Sequence, residues 1–387
     1  MAATATTTLR GRLIDDGMAG LVKAGWDGLA PAGDPFLSSA YLGAMEASGS
    51  ATSETGWQPL HLAVEDGGGR LVAAAPLYAK SHSWGEYVFD QGWADAYRRA
   101  GGRYYPKLQV AVPFTPVPGS RLLARDDGAR EALAAALRQT AAQTPVSSLH
   151  VTFCTEAEAE LLGRHGFLVR RGLQYHWDNR GYGDFADFLD AMRSAKKKMV
   201  RKEREQVRTS GLEVEVLDGE ALTGKALNDF YPFYLATVDK RWGSAYLTRD
   251  FFRRLGRDLR DRIVLVTARK DGELVACALN LRGSDALYGR LWGCLEEYRF
   301  LHFECCYYRA IEYAITHGIP RVEAGAQGTH KIARGYAPVW TWSAHLLKDP
   351  GLEQAVARFV EAETRELGER MGELEAMLPY RREGEAG

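Results

Sequence analysis

The chain has few cysteines, no long apolar run and almost no net charge, and each lack excludes a class of protein. Its five cysteines show no C-x-x-C spacing, so neither a disulfide framework nor a metal site is indicated. No apolar run approaches the roughly 20 residues that a membrane-spanning helix needs. The N-terminal stretch lacks the apolar core of a signal peptide. We therefore predict a cytoplasmic protein with no membrane span and no metal.

What is present describes an ordinary globular protein. The 387 residues are 46% hydrophobic and 26% charged, and the formal net charge of −1 leaves room only for a local anion-binding surface. This length favours two domains of roughly 150–200 residues. Helix and strand patterns begin again near residue 185, so we predict domains over 9–180 and 181–387. The predicted fold class is α/β (α+β), with a mixed sheet flanked by helices in each domain.

The predicted second domain opens with a basic helix over 185–210. Four cations recur on it at helical spacing, and they are Lys197, Arg201, Arg204 and Arg208. A local patch of this kind suits an RNA phosphate backbone. The alternative is a solvated helix face that Glu203 and Glu205 partly balance.

Three strands of antiparallel type, a helix over 303–317, two further strands and a terminal helix over 354–378 follow. Asp271-Gly272 joins two of these strands and is a strong hairpin signal. After the strand that ends at Glu323 comes a polar loop, which reads AGAQGTHKIARGYAP. Its mixture of glycines and polar side chains is typical of a functional loop on a rigid scaffold.

This order of elements resembles the GNAT acetyltransferase fold, and the local sequences resemble the FemAB-like family of predicted N-acyltransferases. The stretches that carry the family resemblance span roughly residues 26–348. They read GEYVFDQGWADAYRRAGGRYYPKLQVAVPFTPVPGSRLL, SAKKKMVRKEREQV, FYPFYLATVDKRWGSAYLTRDFF and LHFECCYYRAIEYAITHGIPRVEAGAQGTHKIARGYAP.

The resemblance implies two tandem GNAT-like domains with a substrate cleft between them. It implies an N-acyltransferase, and better-understood relatives move an aminoacyl group from aminoacyl-tRNA onto an amine of a cell-wall precursor. The expected partners are thus a small-molecule or cell-wall-precursor amine and a tRNA. An acyltransferase that uses acyl-CoA, or a recognition protein without turnover, are the alternatives.

Acyl transfer to an amine needs a base near the amine and a cation or donor for the oxyanion that develops. Glu323 is our candidate base, and the alternative is a strand-end carboxylate paired with Arg290 or Arg334. Lys331 is the candidate cation, because the resemblance places it where relatives carry a lysine with that role.

His302 and Glu304 form either a linked acid–base pair or the cap of a helix, since a carboxylate in a first helical turn is favourable by itself. His330 and Gln327 are candidate donors to the acyl group, and Tyr336 is a candidate general acid. The remaining predicted substrate contacts are Arg290, Trp292, Arg334, Asp239, Trp242, Asp90, Lys107 and Gln109.

The stretch 296–304 bears on the acyl donor. CoA-dependent members of the fold bind pyrophosphate through a glycine-rich loop whose N–H groups face the anion. Here the corresponding residues read EEYRFLHFE, with no glycine and three carboxylates. The sequence therefore disfavours standard CoA binding and predicts no tightly bound cofactor, with aminoacyl-tRNA as the co-substrate and acyl-CoA as the alternative.

Overall fold

The protein is described here by a computed structural model, which covers residues 9–241, 245–325 and 328–381, without the side chains of residues 239–241. Within these residues the strands are, in chain order, β1 Arg10–Ile14, β2 Trp57–Pro59, β3 His61–Glu65, β4 Leu71–Ala75, β5 Leu77–Lys80, β6 Lys107–Val110, β7 Leu123–Ala124, β8 Ser148–Cys154, β9 Leu168–Asp178, β10 Leu212–Leu217, β11 Ile263–Lys270, β12 Glu273–Arg282, β13 Ala286–Cys294, β14 Arg321–Glu323 and β15 Ala337–Leu347.

Helices alternate with these strands along most of the chain. They are α1 Gly17–Ala24, α2 Ser39–Ala47, α3 Gln91–Arg99, α4 Asp127–Gln143, α5 Glu156–Arg164, α6 Phe185–Asp190, α7 Ser194–Arg208, α8 Gly224–Arg241, α9 Arg249–Asp258, α10 Leu301–Phe303, α11 Arg309–Thr316 and α12 Pro350–Ala376. A π-helical segment, Glu304–Tyr308, joins α10 to α11, and a 3₁₀ segment occupies Thr329–Arg334. None of the helices in the described ranges combines the length and apolar character that crossing a bilayer requires.

The chain forms two compact units. The first comprises Met1–Gly172 and Trp340–Leu367, and the second comprises Leu173–Val339 and Gly368–Gly387. The sequence predicts two consecutive halves, whereas here most of β15 and of α12 belongs to the first unit. Backbone pairing of β15 with β8 accounts for this difference, because a pairing between residues nearly 200 positions apart leaves no local signal.

The first unit contains two sheets, ordered β1-β3-β4-β7 and β15-β8-β6-β5-β2. In the second of these, Leu108 and Val110 of β6 pack on the apolar face of α4. Their neighbours Lys107 and Gln109 face the opposite side, since successive side chains of a strand alternate. The sheet therefore has one apolar face and one polar face, and both are buried.

The second unit is built on one mixed sheet with the order β10-β11-β12-β13-β14-β9. Strands β10 to β13 form an antiparallel meander, and β14 then runs parallel to β13 after the helix. Val322 of β14 and Trp177 of β9 share a core with Ile311 and Ala314 of α11. The alternation along β14 consequently turns Glu323 away from this core.

The helix over 185–210 predicted from the sequence is two helices, α6 and α7. The chain between them is extended, because Met192 forms a backbone bridge with Tyr380 and the N–H of Arg193 donates to the carbonyl of Pro379. The helix predicted over 303–317 spans 301–316 and includes the π-helical segment. The terminal helix starts at Pro350 rather than at residue 354, since proline is favourable in a first helical turn.

Candidate functional site

Strand β14 ends on a buried carboxylate that stands opposite a buried imidazole. Glu323 pairs in register with His176 of β9, and only 4% of Glu323 is exposed. Its Oε1 accepts a hydrogen bond from Nε of Arg321 at 3.0 Å. Its Oε2 makes no hydrogen bond among the described residues and lies 3.6 Å from Nε2 of His176. A buried carboxylate oxygen without a donor is rare in folded proteins, so Glu323 is a candidate site residue on geometry alone.

Burial sets the protonation of both groups. Loss of hydration raises the pKa of Glu323 to about 7, although the neighbouring Arg321 opposes this change. Burial lowers the pKa of His176 to about 3, and the positive charges of Arg321 and Lys331 act in the same direction. At neutral pH His176 is therefore uncharged, whereas Glu323 readily gains or loses a proton. General acid–base catalysis uses carboxyl groups of this kind.

The polar loop after β14 brings an ammonium group to the same region. Gly325 and Gly328 have positive φ values of 79° and 115°, which turn the chain into the 3₁₀ segment. Nζ of Lys331 then donates to the carbonyl oxygen of Gly325 at 2.7 Å. Lys331 is 2% exposed, and burial lowers its pKa to about 8. The charge of Lys331 acts on His176, the register partner of Glu323, so we group these three residues as one candidate site.

Aromatic side chains and a second histidine lie beside this loop. The π-helical segment carries Tyr307, whose hydroxyl is 2.8 Å from Nε2 of His330. The ring of His302 packs 5.4 Å from that of Trp292 and 5.3 Å from that of Tyr307. Trp292, His302 and His330 are partly exposed, so this aromatic cluster is accessible to a ligand. Their predicted contacts with substrate stay predictions.

Two other residues of the loop are buried among protein groups. Arg334 forms an ion pair with Glu203 at 2.7 Å, and its Nε donates to the hydroxyl oxygen of Tyr308 at 3.0 Å. Its guanidinium group also stacks 3.5 Å from the centre of the Phe303 ring. Tyr336 is fully buried, and burial raises the pKa of its hydroxyl far above the usual value. These contacts fix the 3₁₀ segment against α7 and the π-helical segment.

Glu304 neutralises guanidinium groups from two elements. Its carboxylate lies 3.0 Å from Arg204 of α7 and 3.0 Å from Arg309 of α11. Only 4% of Glu304 is exposed, and the guanidinium group of Arg204 also covers the ring of Phe185 at 4.4 Å. The sequence suggests an acid–base pair with His302 or a helix cap, and the observed partners of Glu304 are instead these two arginines.

The cations of α7 differ in how far they are already paired. Lys197 pairs with Asp190, Arg208 pairs with Glu205, and Arg204 is turned inward. Arg201 and Lys202 are exposed and form no ion pair within the described part of the chain. They line a groove of about 710 Å³ together with Phe185, Leu189, Arg204, Glu205, Val207, Arg208, Leu212, Val214, Glu304 and Arg309.

The stretch before the helix satisfies its own backbone donors. Phe300 has a left-handed φ of 65°, and its carbonyl oxygen accepts from the N–H groups of Phe303 and Glu304, both at 3.0 Å. The N–H of Leu301 donates to Tyr298 at 3.2 Å. Three of the N–H groups in the stretch that corresponds to the pyrophosphate-binding loop are thus occupied within the protein.

The three residues predicted as contacts from the first domain are buried in the first unit. Nζ of Lys107 donates to Glu86 at 2.7 Å and also to Asp90. Nε2 of Gln109 donates to the hydroxyl of Thr152 at 2.8 Å. Each is no more than 2% exposed, so they form an enclosed polar network. Their role as substrate contacts stays a prediction.

Three further predicted contacts fall outside the described residues, and they are the side chain of Asp239, Trp242 and Gln327. Arg290 lies on β13 next to Glu323, where its positive charge acts to lower the pKa of that carboxyl group. No cluster of three metal-ligating side chains occurs in the ranges that the structure covers.

Sequence reasoning missed His176 and Gln174, which face Glu323 across β9 and β14. Their alternation with Tyr175 and Trp177 is visible in the sequence, and it indicates a strand with one polar face. The register with Glu323 depends on the pairing of strands far apart in the chain, so the sequence alone could not have revealed it.

A family described as FemAB-like, for peptidoglycan biosynthesis or recognition, matches residues 18–382, which is nearly the whole chain. The chain belongs to the FemAB-like family. No protein of curated function matches the chain in sequence.

Solved structures show the same fold at low sequence identity. FemX is 12% identical, with a TM-score of 0.54 over 89% of this chain and 100% of that one. The C-terminal domain of a putative lysylphosphatidylglycerol synthetase from Agrobacterium fabrum is 9% identical, with a TM-score of 0.54 over 89% and 96%.

The family match and the observed fold agree with the α/β fold class predicted from the sequence. The FemAB-like protein has an α/β fold with a mixed sheet in each unit, and it shares this fold with FemX.

Proposed function

We propose that this FemAB-like protein transfers an aminoacyl group from aminoacyl-tRNA onto a free amine of a cell-wall precursor. Glu323 acts as the general base, and Lys331 stabilises the oxyanion. The observation that carries the proposal is the buried Oε2 of Glu323, which has no hydrogen bond among the described residues and belongs to a carboxyl group with a pKa of about 7. The buried ammonium group of Lys331, whose charge acts on the neighbouring His176, supports it. Family membership supports the acceptor class, since the family is described for peptidoglycan biosynthesis or recognition.

The chemistry follows from these two groups. The amine nitrogen attacks the carbonyl carbon of the aminoacyl ester, and its surplus proton passes to Oε2 of Glu323. The carbonyl oxygen becomes an oxyanion, which the Nζ–H₃⁺ group of Lys331 stabilises through a charge-assisted hydrogen bond. Collapse of the tetrahedral intermediate breaks the ester bond, and the departing 3′ oxygen of the tRNA takes up a proton. Glu323 in its protonated form supplies that proton and is ready for another cycle.

The choice of donor rests on the stretch 296–304. A pyrophosphate would meet the carboxylates of this stretch and backbone N–H groups that already donate to Phe300 and Tyr298. A CoA ester bound in the standard manner is thus disfavoured. Acyl-CoA held in another way is the second candidate, and a recognition protein without turnover is the third.

Phosphate contacts of the tRNA are assigned to α7. Arg201 and Lys202 are exposed and carry no ion pair among the described residues, so their charge is available to an RNA backbone. Lys197 and Arg208, already paired with carboxylates, contribute less. Arg204 stabilises the protein rather than contacting RNA, because Glu304 and Glu312 both bind it.

Donor choice is tested by incubating the full chain with a muramoyl-pentapeptide that carries a free side-chain amine. One reaction receives a mixture of tRNAs charged with labelled amino acids, and the other receives labelled acetyl-CoA. Label in the peptide from tRNA alone is the expected result. Label from acetyl-CoA alone would contradict the assignment of the donor, and binding of the peptide without transfer from either donor would favour the recognition protein.

A further inference from the structure

Two polar side chains of β9 face the candidate base. Gln174 and His176 alternate with Tyr175 and Trp177, which belong to the core that contains α11. Gln174 and His176 therefore face the opposite side of the sheet. Gln174 is 3% exposed and His176 is 8% exposed, and His176 stands in register with Glu323.

The surroundings of Nε2 of His176 favour one tautomer of the ring. This nitrogen lies 3.4 Å from Oε1 of Gln174 and 3.6 Å from Oε2 of Glu323. An amide oxygen and an ionised carboxylate oxygen are both acceptors, so the neutral tautomer with its proton on Nε2 matches both neighbours when Glu323 is ionised. His176 thus presents an N–H donor to the carboxylate oxygen that has no hydrogen bond among the described residues.

The other charged groups near Glu323 act from different directions. Arg321, on the same strand, donates to Oε1 and pairs with Asp285 at 2.7 Å. Arg290 on β13 acts on the carboxyl group through its charge, and the charge of Lys331 acts on His176. The hydrogen bonds in the described part of the chain occupy Oε1 and leave Oε2 to His176.

We propose that His176 is a positioning residue, which donates its Nε2–H to Oε2 of ionised Glu323 and directs that oxygen to the acceptor amine. Gln174 anchors the imidazole ring from the other side. The distances of 3.4 and 3.6 Å are those of a loose arrangement. Catalytic hydrogen bonds are often long without substrate and shorten when it binds. The reference to an amine rests on the proposed function, whereas the contact between the two side chains is a property of the protein alone.

The test measures the titration of Glu323 directly, without substrate. The full chain is labelled with ¹³C at the glutamate side-chain carboxyl, and the Glu323 signal is assigned by its loss in Glu323→Gln. Loss of the N–H donor in His176→Leu moves the midpoint of this titration up by about one pH unit, because the ionised form loses a hydrogen bond. His176→Gln keeps an N–H donor and stays close to wild type.

Gln174→Leu is the second variant, and it matters most if His176→Leu does not fold. It removes the anchor of the imidazole ring, so the midpoint moves up by a smaller amount. Circular dichroism establishes that each variant is folded. A wild-type midpoint in folded His176→Leu, or in folded Gln174→Leu where the former does not fold, would overturn the proposal.

The same variants separate this inference from the proposed function. If the protein acylates an amine, the acidic limb of kcat/KM against pH moves with the carboxyl midpoint in His176→Leu. A uniform loss of rate at every pH with an unmoved limb would mean that His176 is only structural, which contradicts the proposal. If no acyl transfer occurs, the proposed function fails, and the carboxyl titration still decides the role of His176.

Discussion

Burial shifts the pKa values of the Glu323 carboxyl group and the Lys331 ammonium group toward each other. The pKa of Glu323 rises to about 7 and that of Lys331 falls to about 8, in both cases chiefly because the charged form loses its hydration. A base and a cation tuned in this way suit acyl transfer at neutral pH. Because the pKa shift of Glu323 does not require a substrate, it should be measurable in the pH dependence of the unfolding free energy.

Glu323→Gln should change how stability depends on pH. The folded pKa of about 7 exceeds the ordinary value of 4.5, so between these values the folded state holds a proton that the unfolded state has lost. The contribution of Glu323 to the unfolding free energy is thus fully present below its unfolded pKa, and it is lost as the pH rises through its folded pKa.

The measurement is urea unfolding of both proteins at several pH values. From about pH 5 to about pH 8 the unfolding free energy of wild type should fall by about 2 kcal/mol relative to Glu323→Gln. Taking the difference between the two proteins removes the contribution of other buried groups. If the unfolding free energies of the two proteins differed by a constant amount across this pH range, burial would not raise the pKa of Glu323.

At the scale of elements, a buried ion pair joins α7 to the 3₁₀ segment that carries Lys331. Arg334→Ala would leave Glu203 buried without its partner, and this should cost about 3–5 kcal/mol of unfolding free energy. Arg208→Ala, which breaks an exposed pair with Glu205, is the matched control and should cost less than about 1 kcal/mol. Equal stabilities of the two variants in urea unfolding would assign Arg334 to substrate contact instead.

Helix α7 also gives a prediction for tRNA binding. Replacing Arg201 and Lys202 together by alanine removes two unpaired cations, so binding weakens and the slope of log Kd against log salt decreases by about 1–2. Arg208→Ala should have a smaller effect, because Glu205 already pairs with Arg208. Filter binding of labelled tRNA at several salt concentrations measures both. An unchanged slope in the double variant would place RNA elsewhere.

Elements with local signals could be predicted from the sequence. The β11–β12 hairpin turns at Asp271-Gly272, as the sequence predicts. Helix α5 begins at a full capping box between Thr155 and Glu158, which is a signal of the same local kind. The break between α6 and α7 could not be predicted, because it depends on pairing with Tyr380 near the other end of the described chain.

The residues of the candidate site also differ in whether the sequence could reveal them. Glu323 could be selected because it ends a strand that a polar loop follows, and Lys331 could be selected because the family resemblance gives a lysine of that loop a role. Partners could not be predicted, because they come from distant parts of the chain. Examples are the ion pair of Arg204 with Glu304 and the register of His176 with Glu323.

At the scale of the whole molecule, the family match extends over both units, from residue 18 to residue 382. The residues of the candidate centre, Glu323, Lys331 and His176, all lie in the second unit. The first unit contributes a fully enclosed polar network around Lys107 and Asp90. The proposed aminoacyl transfer therefore uses catalytic groups of the second unit alone.

The central claim is that Lys331 and Glu323 catalyse acyl transfer, and a single-turnover assay of the full chain tests it most directly. Wild type and Lys331→Ala are mixed with labelled aminoacyl-tRNA and the muramoyl-pentapeptide, and the labelled peptide is followed over time. We expect transfer by wild type and a rate about 10²–10³-fold lower in Lys331→Ala, with peptide binding retained. Equal rates in the two proteins would contradict the account.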